Sequence, residues 1–395
     1  MTSKSSQRWI WQTAAWPPLS FDALAVAASL NRARSELGKL LGKAEAVGAA
    51  DMSLTERDIW TQDALATSAI EGQVLNLDVV RSSVARRLGI VTTFTSAVPR
   101  SVEGLLDVME DAANNWNNDL TEDRLCAWHT ALFPPGQITL RQVDSGKFRS
   151  HNAPMQIVSG PISREKVHYE APPSADVPTE MRKFIDWFNT SSKDAGTDGL
   201  VRAALAHLWF ESIHPFEDGN GRIGRAIMDM ALSQDIGRAF RLHGLSEELR
   251  RRQEDYYNAL NRVQCVEAEP TDWLVWLIDT FRSACHTSST LVDEALDRAR
   301  FWSKHKDVDL NARQRKMLSK MLEAGPGRFS GGMTPRKHKS ITNAGDATAT
   351  RDLKELVDKG LMVRRGAGRS THYELALEGW EWQPDEMADT VKVET

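Results

Sequence analysis

Apolar positions in this chain recur mainly every three to four residues, the period of a helix with one buried face. Leu200, Ala204 and Leu208 form one such row and Val201, Leu205 and Trp209 a second, which predicts a helix over 200–213 with a buried stripe. The same period predicts helices at about 21–46, 77–88 and 177–189, two more within 101–135, and others through about 284. Ser53 and Glu56 have the spacing of a capping box, which places a helix start at Ser53, and Gly72 is a typical terminator for that helix. Across 141–173 the pattern changes to alternation, with Gly146, Gly160 and several prolines, and predicts a β-hairpin at about 156–169. From Asn311 a helix at about 312–324, a Gly-rich break at 325–332, a short segment at 334–342 and a helix at about 347–359 follow one another. Ala349, Leu353, Leu356 and Val357 share one face of the last helix, and a Gly366-Ala367-Gly368 turn closes a second hairpin. Residues 384–395 read as a disordered tail. The fold class predicted is mainly α.

Length and composition narrow this picture. At 395 residues, two to three domains are expected. With 41% hydrophobic and 26% charged residues the chain is of globular type, which excludes wholesale disorder. The longest apolar stretches, such as 273–281, reach about half a bilayer span, so no membrane span is expected. The start of the chain lacks the basic-then-apolar order of a signal peptide. Cys126, Cys265 and Cys285 are far apart and odd in number, which argues against a disulfide framework or a Cys-ligated zinc site. A cytoplasmic location is the expectation that follows. The net charge of −5 hides an asymmetry: residues 304–372 hold 16 Lys and Arg against 7 Asp and Glu, so a basic C-terminal module follows an acidic body. That asymmetry points to nucleic acid contact at the C-terminal end.

One segment concentrates the chemistry. Residues 214–225 read HPFEDGNGRIGR. Pro215 tends to end the preceding helix. Gly219, Asn220 and Gly221 allow a turn whose N–H groups converge, and a new helix begins there with Ile223, Ile227 and Met230 as its apolar stripe. Helix starts of this kind bind phosphates. Arg222 and Arg225 fall on one face, where the helix dipole opposes cations unless an anion is expected. Asp218 suits a Mg²⁺ ion shared with phosphates, and His214 suits a general base for a hydroxyl. GNGRIG at 219–224 matches the dinucleotide fingerprint literally, but a helix precedes it rather than a strand, and the chain has no GxxxxGK[ST] loop.

This segment resembles the signature of the Fic family, HPFx[DE]GNGRxxR, at every fixed position. The resemblance implies transfer of AMP from ATP to a protein Ser, Thr or Tyr hydroxyl, with pyrophosphate leaving. It implies His214 as the base, Asp218 as the Mg²⁺ ligand, Gly219 to Gly221 with Asn220 and Arg222 as the cradle for the α- and β-phosphates, and Arg225 on the γ-phosphate. Ile223 and Gly224 fall within the same nucleotide-binding stretch. Thr67 to Gly72 (TSAIEG) resembles the family's inhibitory motif, [ST]xxxE[GN]. Glu71 would then pair with Arg225 and exclude the γ-phosphate. Tyr256 and Tyr257 resemble the Tyr pair that borders the nucleotide. Some members of the family place an Asn seven residues after the second Tyr, where this chain has Gln264. The hairpin resembles the family's flap, which docks a target segment as an added strand, and Val158, Ser159 and Gly160 are its candidate contacts. The start, with Trp9, Trp11, Trp16 and Pro17, resembles the N-terminal helical domain of one Fic subgroup.

The expected organisation is an N-terminal helical domain over 1–95 with the inhibitory helix, a Fic catalytic core over 96–300 with a β-hairpin flap, a winged helix-turn-helix over 304–378, and a tail over 379–395. In the winged-helix reading Thr348, Arg351 and Lys354 face outward on the third helix, and Arg364, Arg365 and Arg369 lie along the wing, a layout that suits DNA. The leading expectation is an autoinhibited protein adenylyltransferase using ATP and Mg²⁺, acting on an unknown target protein. The alternatives are an ATP-sensing DNA-binding regulator, transfer of another group, and hydrolytic removal of AMP at the same site. A homodimer follows by analogy with the family alone.

Overall fold

The computed structural model describes residues 9–91, 97–136, 143–159, 164, 166–194, 196–265 and 269–382. Among these, two compact units separate, one drawn from the described residues of 9–44 and 53–289 and the other from those of 45–52 and 290–382. The helices are α1 (Ala23–Ala46), α2 (Ala49–Ile70), α3 (Leu77–Arg87), α4 (Arg100–Asn114), α5 (Glu122–Leu132), α6 (Val177–Ser191), α7 (Gly199–Ile213), α8 (Asn220–Ile236), α9 (Leu245–Arg251), α10 (Gln253–Gln264), α11 (Thr271–Lys304), α12 (Ala312–Ala324), α13 (Pro335–Thr342) and α14 (Asp346–Asp358). Two antiparallel hairpins complete the fold: β1 (Gln156–Ser159) with β2 (Lys166–Glu170), and β3 (Met362–Arg365) with β4 (His372–Leu375). The mainly α fold class holds. No helix among the described residues is long and apolar enough to cross a membrane.

The centre of the first unit is α7, which packs against α6 and α8. The predicted stripe is real but incomplete, because every residue from Leu200 to Ile213 is buried. A helix covered on all sides must satisfy its polar side chains internally. Arg202 does so by donating to Ser191 Oγ (2.9 Å), Phe188 O (2.7 Å) and Gln234 Oε1 (2.8 Å). Asp198 caps the helix by accepting the Leu200 N–H at 2.8 Å, and Arg34 of α1 grips the same carboxylate.

The predicted start at Ser53 is displaced. α2 begins at Ala49, right after Gly48, because two alanines, the strongest helix formers, extend it backwards past Ser53. The predicted end holds: Gly72 takes φ +73°, and the Gln73 N–H returns to Ser68 O at 2.9 Å. The first hairpin carries a bulge. Ile157 faces Tyr169 and Val158 faces Val167, which leaves His168 as the extra residue. Tyr169 is fully buried and donates to Ser212 O at 2.6 Å, which fixes the hairpin to the last turn of α7. Trp9 packs edge-on against Tyr169 at 5.5 Å, and Trp11 Nε1 donates to Glu170 O at 2.7 Å, so these tryptophans are packing residues.

The second unit holds α12, α13, α14 and the β3–β4 hairpin around Met317, Leu318, Met321, Leu353, Leu356 and Leu361. Asn311 forms a capping box with Gln314 at the start of α12. Ala349, Leu353 and Leu356 are buried and Val357 is half-buried, as their shared face predicts. Arg351, Lys354, Arg364, Arg365 and Arg369 are exposed, whereas Thr348 is half-buried. The predicted tail at 384–395 lies outside the described residues.

Candidate active site

The site forms where α7 gives way to α8. His214 ends α7 in the left-handed region (φ 50°, ψ 60°), which is uncommon outside glycine. Arg149, 2% exposed, holds that turn. Its Nε donates to His214 O (2.8 Å), its Nη1 to Ser174 Oγ (2.9 Å), and its Nη2 to Pro172 O (2.6 Å) and Ile213 O (3.2 Å). Every acceptor is neutral, so burial lowers the Arg149 pKa to about 10. Burial, with the Arg149 charge beside it, pulls His214 down to about 4. The imidazole is therefore uncharged near neutrality, the form a base requires.

The loop after His214 is held by its own side chains. Asn220 Oδ1 accepts the Phe216 N–H at 2.9 Å, and its Nδ2 donates to Phe216 O at 2.8 Å. Phe216 stacks on His129 with centroids 4.3 Å apart. Gly219 has φ +81°, and a Cβ there would lie 2.7 Å from Phe133 Cε2, so both conformation and space demand glycine. Its N–H donates to Asp218 Oδ1 at 2.6 Å. The first intrahelical bond of α8 is from Ile223 N–H to Gly219 O, which leaves the Asn220, Gly221 and Arg222 N–H groups facing the helix start.

Two guanidinium groups flank those amides. Arg222 lies over the Phe133 ring at 5.0 Å and donates from Nη1 to Gln73 Oε1 at 3.2 Å, while its Nε and Nη2 have no hydrogen-bond partner among the described residues. Arg225 is buried; its Nε donates to Thr67 Oγ1 (2.7 Å) and its Nη2 to Thr67 O (3.1 Å), while Nη1 is unpartnered. Buried cationic donors without acceptors are costly, and together with a helix start they define an anion site.

An anion from this chain already stands there. Glu71, just beyond the end of α2, puts Oε1 2.7 Å from Arg225 Nη2. A Cβ on Gly221 would lie 2.2 Å from the same Oε1, so the carboxylate sits directly over the start of α8. Burial works against its charge, yet Arg225 and then Arg222 hold Glu71 below the ordinary carboxylate range. Tyr257 Oη and Gln253 Nε2 both donate to Ile70 O, at 3.0 and 3.1 Å, and anchor the end of α2. A cavity of about 480 Å³ opens beside the pair, lined by Glu71, His214, Gly221, Tyr257, Gln264 and the β1 residues Val158 and Ser159, among others.

The Fic/DOC family matches residues 119–232, which include this whole loop, and a domain of unknown function, DUF4172, matches residues 9–90, which include Glu71. The Fic/DOC match is thus to residues 119–232, the part of the chain that carries the loop. A probable protein adenylyltransferase of Aquifex aeolicus is 30% identical over 96 residues, covering 24% of this chain and 27% of that protein. The protein adenylyltransferase Fic of Drosophila willistoni is 37% identical over 79 residues, 19% of this chain and 16% of that protein. A uridine 5′-monophosphate transferase of Xanthomonas campestris is 38% identical over 71 residues, 16% of this chain and 12% of that protein. This chain thus spans about a quarter or less of the length of these relatives. The crystal structure of a Fic family protein from Desulfovibrio desulfuricans shares the fold, with a TM-score of 0.53 and 21% identity over 91% of this chain and 98% of that one.

At the site several expected contacts shift. The Asn220 side chain is committed to Phe216, and the Gly219 N–H to Asp218, so the free amides are those of residues 220–222. Ile223 is fully buried in the core. Gly224 serves close packing: a Cβ there would lie 2.6 Å from Glu211 Oε1. Tyr256 is buried with its Oη 2.8 Å from His207 Nε2, whereas Tyr257 is 40% exposed at the cavity. Gln264 is buried and donates to Ser212 Oγ at 3.3 Å. Gly160 lies outside the described residues.

Two residues of the site were not singled out by their sequence pattern, Arg149 and Glu211. Arg149 had no periodic or spacing signal. Glu211 had one: it is the lone acid in α7, three residues before His214. Arg149→Ala would leave four acceptors, two of them buried, short of a donor and is expected to lower stability by about 3 kcal/mol, read as a drop in thermal midpoint. An unchanged midpoint would mean that the His214 turn is held without it.

Proposed function

We propose that this protein is an adenylyltransferase that keeps itself inactive with Glu71. The reading rests on one observation above the others: a carboxylate of the chain lies on Arg225 at the start of α8, where Arg222 and Arg225 donors without hydrogen bonds among the described residues meet free backbone amides. An anionic ligand such as a nucleotide triphosphate suits that site once Glu71 leaves it. Arg225 would then take the terminal phosphate, the amides of 220–222 with Arg222 the inner phosphates, and Tyr257 the nucleoside. His214 accepts the proton of a target Ser, Thr or Tyr hydroxyl, the oxygen attacks the α-phosphorus, and pyrophosphate leaves. The free edge of the β1–β2 hairpin suits docking of an extended target segment as an added strand.

The residues fit Mg²⁺. Asp218 is exposed, and one of its oxygens receives the Gly219 N–H, which leaves the other free as the single carboxylate that Mg²⁺ typically shares with phosphates. When bound, the ion would neutralise phosphate charge beside Arg222. A reducing, cytoplasmic setting follows from the scarcity of cysteine, three in 395 residues.

The test supplies α-labelled ATP, γ-labelled ATP and α-labelled UTP in parallel to the Glu71→Gly protein with Mg²⁺ and a lysate. Label on protein from α-labelled ATP alone is the expected result. Label from γ alone would replace the reading with a kinase. Label from UTP alone would move the chain beside its uridylyl-transferring relative, and loss of AMP from a pre-labelled target would favour AMP removal.

We also propose that the second unit contacts duplex DNA. Arg364 and Arg369 are exposed on the β3–β4 hairpin and make no ion pair among the described residues, and Arg351 and Lys354 are exposed on α14. Replacing Arg364 and Arg369 by Ala in the full chain is expected to weaken binding and to reduce the salt slope by about 2, since each phosphate contact contributes roughly one released counterion. Binding by the parent that does not depend on salt, or no binding at all, would overturn this.

A further inference from the structure

Glu211 and His214 lie one turn apart at the end of α7, and each has a buried atom without a hydrogen bond among the described residues: Glu211 Oε1 and His214 Nδ1. The second carboxyl oxygen, Oε2, is 3.9 Å from that same Nδ1. A movement of about 1 Å brings the pair to hydrogen-bond length. Gly224 gives Glu211 its room, because any side chain there would collide with it. Neither Glu71 nor Arg225 reaches Nδ1 in a hydrogen bond.

We propose that Glu211 is a positioning residue for His214: its carboxylate accepts the Nδ1–H, fixes the ring tautomer and leaves Nε2 as the proton acceptor. This rests on the adenylyl-transfer reading. In the step itself the hydroxyl proton moves to Nε2, the oxygen electron pair forms the bond to the α-phosphorus, and the bond to pyrophosphate breaks. The Nδ1–H stays on the ring, and the carboxylate offsets the imidazolium charge. Burial and Arg149 make His214 a weak base, although the Glu211 backbone and the Glu71 charge act the other way.

The surroundings tie this to inhibition. Glu211 is faced by Arg225 of α8, Glu71 just after α2, Tyr256 and Tyr257 of α10, His207 of its own helix and His214 at that helix's end. Burial, with the nearby Glu71 charge, pushes Glu211 up to about 8 against the pull of Arg225, so it keeps its proton at neutral pH while Glu71 is in place. Removing Glu71 takes away a negative neighbour, and the carboxyl then ionises at lower pH. In the ligand-free protein the same removal takes from His214 a negative neighbour that favours its charged form, which leaves the Glu211 carboxylate as the group that supports the base.

The test compares Glu71→Gly with the same protein carrying Glu211→Gln. The first should show kcat rising about tenfold or more with pH as Glu211 ionises. The second should be flat and about 10- to 100-fold slower at alkaline pH, with the KM for ATP unchanged. Parallel pH profiles would overturn the proposal. Nitrogen NMR of the His214 ring in labelled protein gives a readout independent of turnover. The Nδ1–H tautomer should dominate with Glu211 and give way to a mixture in Glu211→Leu, and an identical tautomer in both would refute the contact. If Glu71→Gly transferred no AMP while the ring tautomer changed, the transfer reading would fail and the Glu211 contact would stand.

Discussion

Glu71→Gly is expected to raise AMP transfer by roughly 5- to 150-fold, the span of a coupling free energy of about 1–3 kcal/mol. The cause is competition for one place. The Glu71 carboxylate lies 2.7 Å from Arg225 Nη2 and over Gly221, so a phosphate oxygen cannot occupy the same position. The substitution also leaves Arg225 buried without a carboxylate, which destabilises the ligand-free protein by about 3–5 kcal/mol. Added ATP should therefore raise the thermal midpoint of Glu71→Gly more than that of the parent, since the ligand now supplies the missing negative charge. Equal transfer rates with equal midpoint shifts would remove Glu71 from the regulation of this site.

His214→Ala, made in the Glu71→Gly protein, is expected to lower kcat by about 10²- to 10⁴-fold, the usual share of a positioned base. ATP binding should survive, because the donors that hold the anion belong to α8, and the His214 ring is not among them. The alanine must still adopt the left-handed turn that Arg149 enforces, which makes a fold check by thermal midpoint part of the experiment. Calorimetric titration with ATP, alongside transfer of α-label, separates binding from chemistry. Retained transfer would show that another group takes the hydroxyl proton.

Much of the architecture was legible because it is written at short range. The periods of α1, α3, α6 and α12 and the Gly72 terminator place those elements to within about two residues. The failures have local causes too. Ser53 and Glu56 have capping-box spacing, but Ala49 and Ala50 are better helix formers than any break at Ser53 is a stop. The stripe read on α7 missed that α6 and α8 cover its other faces, a fact that depends on packing rather than on period. The Asn220 side chain closes on Phe216 four residues earlier, a hydrogen bond that no spacing rule distinguishes from a free side chain.

The sequence by itself determined the loop from His214 to Arg225. Its twelve residues are contiguous, so the turn, the helix start and the two arginines on one face follow from backbone rules that act over a few residues. Only the tertiary structure decided what surrounds that loop. Glu71 reaches Arg225 across 154 positions, and Arg149 reaches His214 across 65. Burial then sets the charge states, pulling His214 down to about 4 and pushing Glu211 up to about 8. Desolvation and ion pairing depend on which groups share a water-free volume, and that volume exists only once the helices have packed.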